Sequence, residues 1–327
     1  DGGNFELSTM YHQIFLEDLL DLVNIHHAYG RSLPSGIEGK IGRMFGWLSK
    51  MCHPDGEISF FNDAALGVTP SVAEIRAYGE RLGFYPNDDG RSDENFVDLP
   101  HSGYSRVEVE DAVAIVDRAA VGPDYLPGHA HADTLSFELS LFGQRVIVNS
   151  GTSVYGSGEQ RQIERSTANH STVHIDGENS SEVWGGFRVA RRACVHERVH
   201  SVSEQQIRLS ACHDGYQRLN GKPYHCREWL FKGKTLIITD QVTGRGKHVL
   251  CSVLPLHPNV QITNQLSDSV VLAVSGHEVH IQFEGSGELS VVNGEYNPEF
   301  GLSIESNQLQ YHLIGPLPDK VITRIRW

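Results

Sequence analysis

The sequence predicts an α+β multidomain protein in which about three helices precede a large antiparallel β-sandwich. Two observations predict this order. Up to about residue 83 the apolar residues recur at helical spacing, and beyond about residue 104 they alternate with polar residues or form short runs between turns. Because no long helical pattern interrupts the second part, its strands are expected to form stacked antiparallel sheets.

Three amphipathic stripes define the predicted helices. Ser8 and Ser35 are expected to cap the first and second helices at their N-termini. Three helices of this length form only a fragment of a helical domain, so their remaining apolar faces are expected to pack against helices further upstream. The stripes consist of Tyr11, Ile14, Phe15, Leu19, Leu22 and Val23; of Ile37, Ile41, Phe45 and Leu48; and of Val72, Ile75, Tyr78 and Leu82.

A polar, turn-rich segment at 86–103 is expected to link the two parts, so the domains are predicted as residues 1–90 and 91–327. Strand-like segments follow the linker at short intervals. They are 104–109, 112–118, 134–142, 144–149, 205–211, 227–238, 248–254, 269–274, 278–283 and 308–314.

Composition excludes several classes of protein. The 327 residues are 39% hydrophobic and 21% charged, which is ordinary for a folded globular chain. A net charge of −14 opposes binding to nucleic acid or to anionic membrane surfaces. No apolar run reaches eighteen residues, so no membrane span is predicted.

Cysteine usage and the first residue bear on the compartment. The five cysteines are odd in number and contain no Cys-x-x-Cys pair, so buried free thiols are expected rather than disulfides or a zinc ribbon. They are Cys52, Cys194, Cys212, Cys226 and Cys251. The chain begins at Asp1 rather than Met, so the natural N-terminus is expected to lie upstream, together with any signal peptide.

The densest group of reactive side chains lies between residues 128 and 192. On a strand, His129, His131 and Asp133 would point to one face, and His-x-His is a common arrangement of metal ligands. The acidic ligand of a cupin is missing, since Glu138 lies seven residues after His131. Five arginines also fall in this region and are suited to receive a sugar carboxylate. They are Arg161, Arg165, Arg188, Arg191 and Arg192.

Four blocks of sequence resemble the heparinase II/III-like polysaccharide lyases. They are DGGNFELSTMYH at 1–12, GHAHADTLSFEL at 128–139, VNSGT at 148–152 and RSTANHSTV at 165–173. The resemblance extends over nearly the whole chain. It implies an incomplete α/α toroid followed by an antiparallel β-sandwich, with uronate-containing polysaccharide cleaved by β-elimination in the groove between them.

The same resemblance implies roles for single residues. Tyr11 and His129 match the acid/base pair, and His131 and His170 match metal ligands. Asn149 stands where the metal-binding members have an Asp. Because a neutral amide is a weaker zinc ligand than a carboxylate, the only cofactor expected is one weakly held zinc or other divalent ion. Ser171 replaces the family's usual Asn. The upstream toroid helices, which supply a further catalytic residue in the family, are absent from this sequence.

Four residues are predicted to contact the sugar: Tyr155, Arg165, Arg188 and Trp184. Each has a structural alternative. A loop tyrosine often packs, a tryptophan can fill the sandwich, and strand arginines often form a solvated face. His129 and His131 could likewise be ordinary sheet histidines.

The predicted function is a polysaccharide lyase, with capsule or O-antigen metabolism as one setting. The alternative is a non-catalytic carbohydrate-binding or scaffold protein with a degenerate metal site. The expected partners are an anionic polysaccharide or oligosaccharide and the missing N-terminal part of the same protein. The resemblance points to the periplasm, and the sequence leaves the cytoplasm open.

Overall fold

Three helices open the chain, as the sequence predicts. A computed structural model describes residues 1–84 and 95–327. In it α1 spans Thr9–Ala28, α2 spans Ile37–Lys50 and α3 spans Val72–Arg81. The three helices share one buried apolar cluster, which includes Leu16, Phe45 and Ile75.

The predicted N-terminal cap is confirmed for α1 and wrong for α2. The Ser8 hydroxyl accepts a hydrogen bond from the Tyr11 backbone N–H at 3.2 Å, so it caps α1 as predicted. The prediction that Ser35 caps α2 is wrong, because Gly36 occupies that position with φ of 80°. Only glycine adopts this left-handed conformation without steric cost, which explains why it replaces the serine there.

The apolar stripe predicted for α1 is partly wrong. Leu16 and Leu20 are buried together with the predicted Val23, whereas Phe15 is 46% exposed and Leu22 is 50% exposed. The helix therefore turns a neighbouring stripe towards α2 and α3. Its second apolar stripe remains at the surface.

Nineteen strands in the described residues form four antiparallel sheets, which confirms the predicted β-rich second part. The first sheet has the order β1-β2-β3-β4-β5 and lies next to the helices in sequence. Its strands are β1 (Phe96–Leu99), β2 (Tyr104–Val109), β3 (Ala112–Asp117), β4 (Phe137–Leu141) and β5 (Gln144–Ile147).

Short elements connect the first sheet to the rest. Helix α4 spans Glu159–Glu164, and a 3-10 turn at Thr167–Asn169 follows it. Next come β6 (Val173–Ile175) and the separate hairpin of β7 (Glu182–Trp184) and β8 (Arg188–Ala190).

Two larger sheets complete the sandwich. The eight-stranded sheet has the order β14-β15-β16-β19-β12-β11-β10-β9, and the four-stranded sheet has the order β17-β18-β13-β6. The strands are β9 (Val195–Val202), β10 (Ile207–His213), β11 (Tyr224–Phe231), β12 (Thr235–Thr243), β13 (Lys247–Pro255), β14 (Gln261–Gln265), β15 (Ser269–Val274), β16 (His277–Glu284), β17 (Glu288–Glu299), β18 (Leu302–Pro316) and β19 (Asp319–Arg326).

One apolar core joins the three large sheets. Phe137 of β4, Trp229 of β11 and Leu313 of β18 are all buried in the same cluster. Because each of these three sheets contributes its inner face to this cluster, burial of those faces is the main force that stacks them.

Polar contacts attach the helices to the first sheet. His53, just after α2, lies 2.8 Å from a Glu138 carboxylate oxygen on β4, and both side chains are fully buried. Arg145 Nε donates to Asp55 at 2.7 Å. These pairs fix the loop that follows α2 against the sandwich, and that loop carries part of the site described below.

Three details of the predicted organisation need correction. Residues 96–99, taken as part of the linker, form β1. Segment 227–238 is a hairpin of β11 and β12 rather than one strand. The predicted linker residues 86–94 and the predicted boundary between 90 and 91 lie outside the described residues, so the boundary remains a prediction.

The GHAHAD segment is also not a strand, because residues 128–136 form the connection between β3 and β4. Its backbone bonds to loops instead of to a sheet: His129 C=O accepts from Asp63 N–H at 3.0 Å, and Ala132 N–H donates to Arg165 C=O at 3.0 Å.

The cysteine prediction is wrong for one pair. Cys212 and Cys226 stand opposite each other on β10 and β11 and form a disulfide. The register of two strands brings them together, and sequence spacing alone does not reveal that register. Cys52 and Cys251 are buried free thiols as predicted, whereas Cys194 is free but exposed.

None of the helices in residues 1–84 and 95–327 combines the length and apolar character needed to cross a bilayer.

Candidate active site

A buried aspartate organises the candidate site. Asp63 lies in the loop after α2 and is fully buried. Its carboxylate accepts hydrogen bonds from His129 Nδ1 at 2.9 Å and from His131 Nε2 at 2.8 Å, and it forms a two-pronged ion pair with Arg161. Burial alone would raise the pKa of Asp63, but these donors outweigh burial and hold the pKa well below its usual range. Asp63 is therefore a permanent anion.

His129 is held by Asp63 and reaches solvent. Since the Asp63 anion can only accept, His129 Nδ1 must carry the hydrogen of that bond. The other nitrogen, Nε2, then presents a lone pair when the ring is neutral. The His129 side chain is 20% exposed, and Nε2 lies 3.7 Å from a Glu6 carboxylate oxygen, beyond hydrogen-bond distance. This geometry is that of a histidine oriented by a carboxylate to accept a proton.

Tyr11 stands directly against His129. It lies in the first turn of α1, where the Ser8 cap fixes the helix start, and its ring centroid is 3.9 Å from that of His129. The Tyr11 hydroxyl is 2.9 Å from the Tyr155 hydroxyl. Burial raises the pKa of Tyr11, and the Asp63 charge acts in the same direction, although the bond with Tyr155 opposes it. Tyr11 is therefore protonated near neutral pH and can donate a proton.

Tyr155 forms part of the wall around this pair. The Arg161 guanidinium lies 5.0 Å from the centre of the Tyr155 ring, and Phe300 meets the same ring edge-on at 4.8 Å. Burial raises the pKa of Tyr155 far above its ordinary value. The structure thus places the predicted sugar contact Tyr155 beside the predicted acid/base pair.

The predicted metal ligands His131 and His170 face one another. His131 Nδ1 lies 3.2 Å from His170 Nε2. His131 Nε2 donates to Asp63, and His170 Nδ1 lies 2.7 Å from Ser166 C=O, so the two facing nitrogens both present lone pairs when the rings are neutral. Burial lowers the pKa of His131 to about 4 and also lowers the pKa of His170, so both rings are neutral at pH 7.

The third predicted metal ligand, Asn149, has a side chain without hydrogen-bond partners in the described residues. Its side chain is fully buried, and neither its amide oxygen nor its amide nitrogen has a hydrogen-bond partner in the described part of the chain. Such orphaned groups are rare in folded proteins. No cluster of three or more His, Cys, Asp or Glu side chains suited to a metal occurs within residues 1–84 and 95–327.

Arg165 is placed differently from a sugar ligand. It is fully buried, and its guanidinium donates to Ala130 C=O at 2.8 Å and to Gly186 C=O at 3.2 Å. Gln162 similarly donates to Gly185 C=O at 2.6 Å. Together these side chains hold the tip of the β7–β8 hairpin beside the GHAHAD segment. Sugar contact by Arg165 stays a prediction, and the contacts observed are structural.

The hairpin carries the other two predicted sugar contacts at the surface. Trp184 is 52% exposed, and the Arg188 guanidinium lies 5.0 Å from the centre of its ring. The hairpin tip also presents Phe187, which meets the rings of His129 and Tyr155 edge-on at 5.8 and 5.1 Å. Phe187 therefore brings this hairpin into contact with the Tyr11–His129 pair.

Two acidic residues of the site, Asp63 and Glu6, were not predicted from the sequence. Asp63 is 66 positions from His129, and Glu6 is likewise distant in sequence. An aspartate in a loop has no periodic spacing that marks it. Arg161 appeared only as one of five clustered arginines, although its full burial distinguishes it from Arg188, Arg191 and Arg192.

Comparison with known proteins identifies a family for both parts of the chain. Residues 91–327 match the family described as heparinase II/III-like, C-terminal, and residues 1–91 match the heparinase II/III N-terminus. A heparin-sulfate lyase from Bacteroides stercoris is 27% identical over 200 residues, which cover 55% of this chain and 29% of that protein.

Solved structures show the same fold. A heparinase III has a TM-score of 0.82 at 20% identity, and a heparan sulfate lyase from Pedobacter heparinus has a TM-score of 0.78 at 17% identity. Each match covers 100% of this chain but only 52% and 53% of those proteins, so the chain spans about half their length. The fold is thus a toroid fragment with a β-sandwich, and with both family regions matched the chain belongs to the heparinase II/III-like family.

Proposed function

We propose that this chain is the sandwich-bearing part of a polysaccharide lyase that cleaves uronate-containing polysaccharide by β-elimination. The single observation that carries the proposal is the contact between Tyr11 and His129, with His129 oriented by the buried Asp63. A base and an acid at adjacent, partly exposed positions are what β-elimination requires.

The geometry favours one division of labour within the pair. His129 Nε2 would remove the proton beside the uronate carboxyl group, since Nδ1 is already bound to Asp63. Tyr11, whose pKa is raised, would donate a proton to the departing glycosidic oxygen. The Asp63 anion would stabilise the protonated His129 that forms when the base accepts its proton.

β-Elimination also requires that the substrate carboxylate be neutralised, and the described residues offer little for this task. Arg161 is bound to Asp63, Arg165 to backbone carbonyls, and Arg192 to Asp124. Arg188 has no carboxylate partner in the described residues, but it lies at the exposed hairpin. We therefore propose that the neutralising group lies outside residues 1–327, in a region equivalent to the half of the relatives that this chain does not match.

A weakly held divalent ion fits the two facing imidazoles. Two tetrahedral zinc ligands at about 2.0–2.1 Å from the metal would stand about 3.3 Å apart, close to the 3.2 Å between His131 Nδ1 and His170 Nε2. By the sequence resemblance, which aligns Asn149 with the family's metal-binding Asp, the unpartnered Asn149 amide is the third candidate ligand. Such an ion would brace the loops next to His129, and the buried imidazoles and amide support this proposal without fixing the metal.

The names of the relatives narrow the substrate class. The matched proteins are a heparin-sulfate lyase, a heparinase III and a heparan sulfate lyase. We propose a glycosaminoglycan-like uronate polymer as substrate, with residues 1–90 and 91–327 as the two domains. The Cys212–Cys226 disulfide favours an oxidising compartment such as the periplasm.

The alternative of a non-catalytic binding protein rests on Asn149. Loss of a metal carboxylate is one way in which a lyase fold becomes a scaffold. The acid/base pair and its orienting aspartate are nevertheless complete, which favours catalysis.

A direct assay separates the two functions. Full-length protein is incubated with a panel of uronate polymers, and the ultraviolet absorbance of the unsaturated uronate product is followed. A catalytic protein produces this absorbance together with new chain ends. Tight binding to a polymer of the panel, without any unsaturated product from any of them, would establish the scaffold instead.

A further inference from the structure

A second groove lies at the end of the sandwich, where two glycine-rich turns meet. One turn contains Asn220, Gly221 and Lys222 between β10 and β11, and the other consists of residues 244–246 between β12 and β13, whose first residues Lys247 and His248 also line the groove. The groove between them has a volume of about 800 Å³. That volume is ample for one or two sugar rings of a longer chain.

Backbone packing fixes the two turns against each other. Arg245 N–H donates to Gly221 C=O at 2.9 Å, and Leu317 N–H donates to Gly246 C=O at 2.9 Å. Gly221 has φ of 77°, and a Cβ atom there would lie 1.8 Å from the Arg245 carbonyl oxygen. No residue with a side chain fits at Gly221, so the glycine is required for the two turns to lie this close. Their contact brings Lys222 of one turn near Arg245 of the other.

Three exposed cations line the groove. Lys222, Arg245 and Lys247 are exposed, and none of them has an ion pair within residues 1–84 and 95–327. Of the acids nearby, Asp176 is occupied by His248 Nδ1 at 2.7 Å and by Val249 N–H at 2.8 Å, and Asp319 lies against Gly315, opposite His248, without an ion pair to these cations. In a chain of net charge −14, three free cations around one concave surface are a local exception.

We propose that this groove is a second binding site for an anionic polysaccharide, which its cations hold by carboxylate or sulfate groups while the Asn220 amide meets hydroxyls. The inference rests on the proposed function for the identity of the polymer. An anionic substrate is repelled by the protein as a whole, so a basic groove supplies the attraction that the net charge lacks.

The groove lies a short distance from the candidate active site, which would let one long polymer reach both. His170 and Asp176 lie at opposite ends of the segment that contains β6, and six residues of chain span at most about 20 Å. Asp176 contacts His248 at the edge of the groove, and His170 faces His131 beside the candidate active site. Long chains can therefore occupy both, whereas short ones occupy one.

The test uses the full-length protein and a size-defined heparan sulfate tetrasaccharide, which is too short to bridge the two sites. In a His129→Ala background, where turnover is strongly reduced, calorimetry should find two tetrasaccharides per chain, and the double variant R245Q/K247Q should bind one. The control K232Q/R326Q removes two exposed charges from the opposite end of β12 and should still bind two.

A kinetic arm uses the protein with His129 intact. R245Q/K247Q should raise KM for long polymer about tenfold while leaving kcat and the cleavage of a tetrasaccharide unchanged, since a few exposed charge contacts contribute about that much affinity. Equal stoichiometry and equal KM for R245Q/K247Q and the control would overturn the inference. If R245Q/K247Q loses one bound oligosaccharide but the protein with His129 intact forms no unsaturated product, the proposed function is wrong and the groove is still a polysaccharide-binding site.

Discussion

At the scale of single residues, the candidate site depends on one buried carboxylate that serves two histidines. Sequence resemblance identified Tyr11 and His129, and the structure brings their rings into contact. Sequence resemblance could not identify Asp63, because the contact between Asp63 and His129 joins two loops that are far apart in the chain. Nor could it show that Arg165 binds backbone carbonyls, since an arginine has the same sequence signature in either role.

Replacement of the proposed base tests the acid/base assignment. His129→Ala in the full-length protein should lower kcat by roughly 10²–10⁴-fold, the usual cost of losing a positioned acid/base group. Folding should be retained, because the His129 side chain is partly exposed and Asp63 keeps its Arg161 partner. The measurements are the rate of ultraviolet absorbance increase and a melting curve. His280→Ala, an exposed sheet histidine, is the control. A His129→Ala protein with near-normal kcat would remove the central claim.

The metal proposal predicts that zinc binds weakly and that a carboxylate at position 149 would strengthen the binding. After dialysis, elemental analysis of the natural protein should give well under one zinc per chain, because Asn149 brings no charge to the two imidazoles. Asn149→Asp should raise zinc occupancy, and Asn149→Ala should lower it. His131→Ala should lower the melting temperature together with any zinc. One tightly held zinc in the natural protein would show that a different acid completes the site.

At the scale of elements, the alternation of apolar and polar residues predicted several of the strands that bury one face, although β19, which alternates as clearly, was not among them. Strands such as β10 and β15 have clear alternation of burial and were found. β9 was missed because it is an edge strand whose residues are nearly all exposed, so no face carries an apolar signal. β6 and β7 have three residues each, too few for a period to appear.

A buried ion pair ties the eight-stranded sheet to the loops of the site. Arg227 on β11 binds both carboxylate oxygens of Asp240 on β12, at 2.6 and 2.9 Å. The same guanidinium donates to Leu135 C=O and Ser171 C=O, which belong to the segments that carry His131 and His170. His225 adds a hydrogen bond to Asp240 at 2.7 Å.

Breaking this pair should be costly. Asp240→Asn leaves the Arg227 charge buried without a counter-ion and should destabilise the fold by about 3–5 kcal/mol. Asp111→Asn breaks an exposed, solvent-screened pair with Lys234 and should leave the melting temperature nearly unchanged. Melting curves at pH 7 compare the two variants. Equal small shifts would show that the buried pair does not anchor these loops.

The stabilisation by Asp240 should also depend on pH. Burial acts to raise the pKa of Asp240, but Arg227 and His225 outweigh it and lower the pKa to about 2. An unfolded chain has an Asp pKa of about 3.9. Because the folded value is lower, the stabilisation is present above about pH 4 and is lost as the pH falls towards 2. The melting-temperature gap between natural protein and Asp240→Asn should therefore narrow below pH 4. A gap that stays constant down to pH 2.5 would contradict this.

At the scale of the whole molecule, the helices look like one part of a larger assembly. Phe15, Leu22 and Ile25 of α1 are 46, 50 and 54% exposed, although they form an apolar stripe along one helix. Exposed apolar stripes of this kind mark surfaces that pack against further structure. The solved relatives are about twice as long as this chain, which is consistent with further toroid helices covering the stripe.

The last prediction follows from this exposed stripe and from the greater length of the relatives. Residues 1–327 alone should cleave a uronate polymer at least about 10²-fold more slowly than the full-length protein, measured as kcat/KM by product absorbance. Three helices cannot close the groove above Tyr11 and His129, and the described arginines near the site are mostly bound to other groups, so the substrate carboxylate would lack its neutralising partner. A melting curve and circular dichroism must show that the 327-residue protein is folded, because misfolding would also abolish turnover. A folded fragment with the same kcat/KM as the full-length protein would show that every group needed for elimination, including the carboxylate ligand, already lies within this chain.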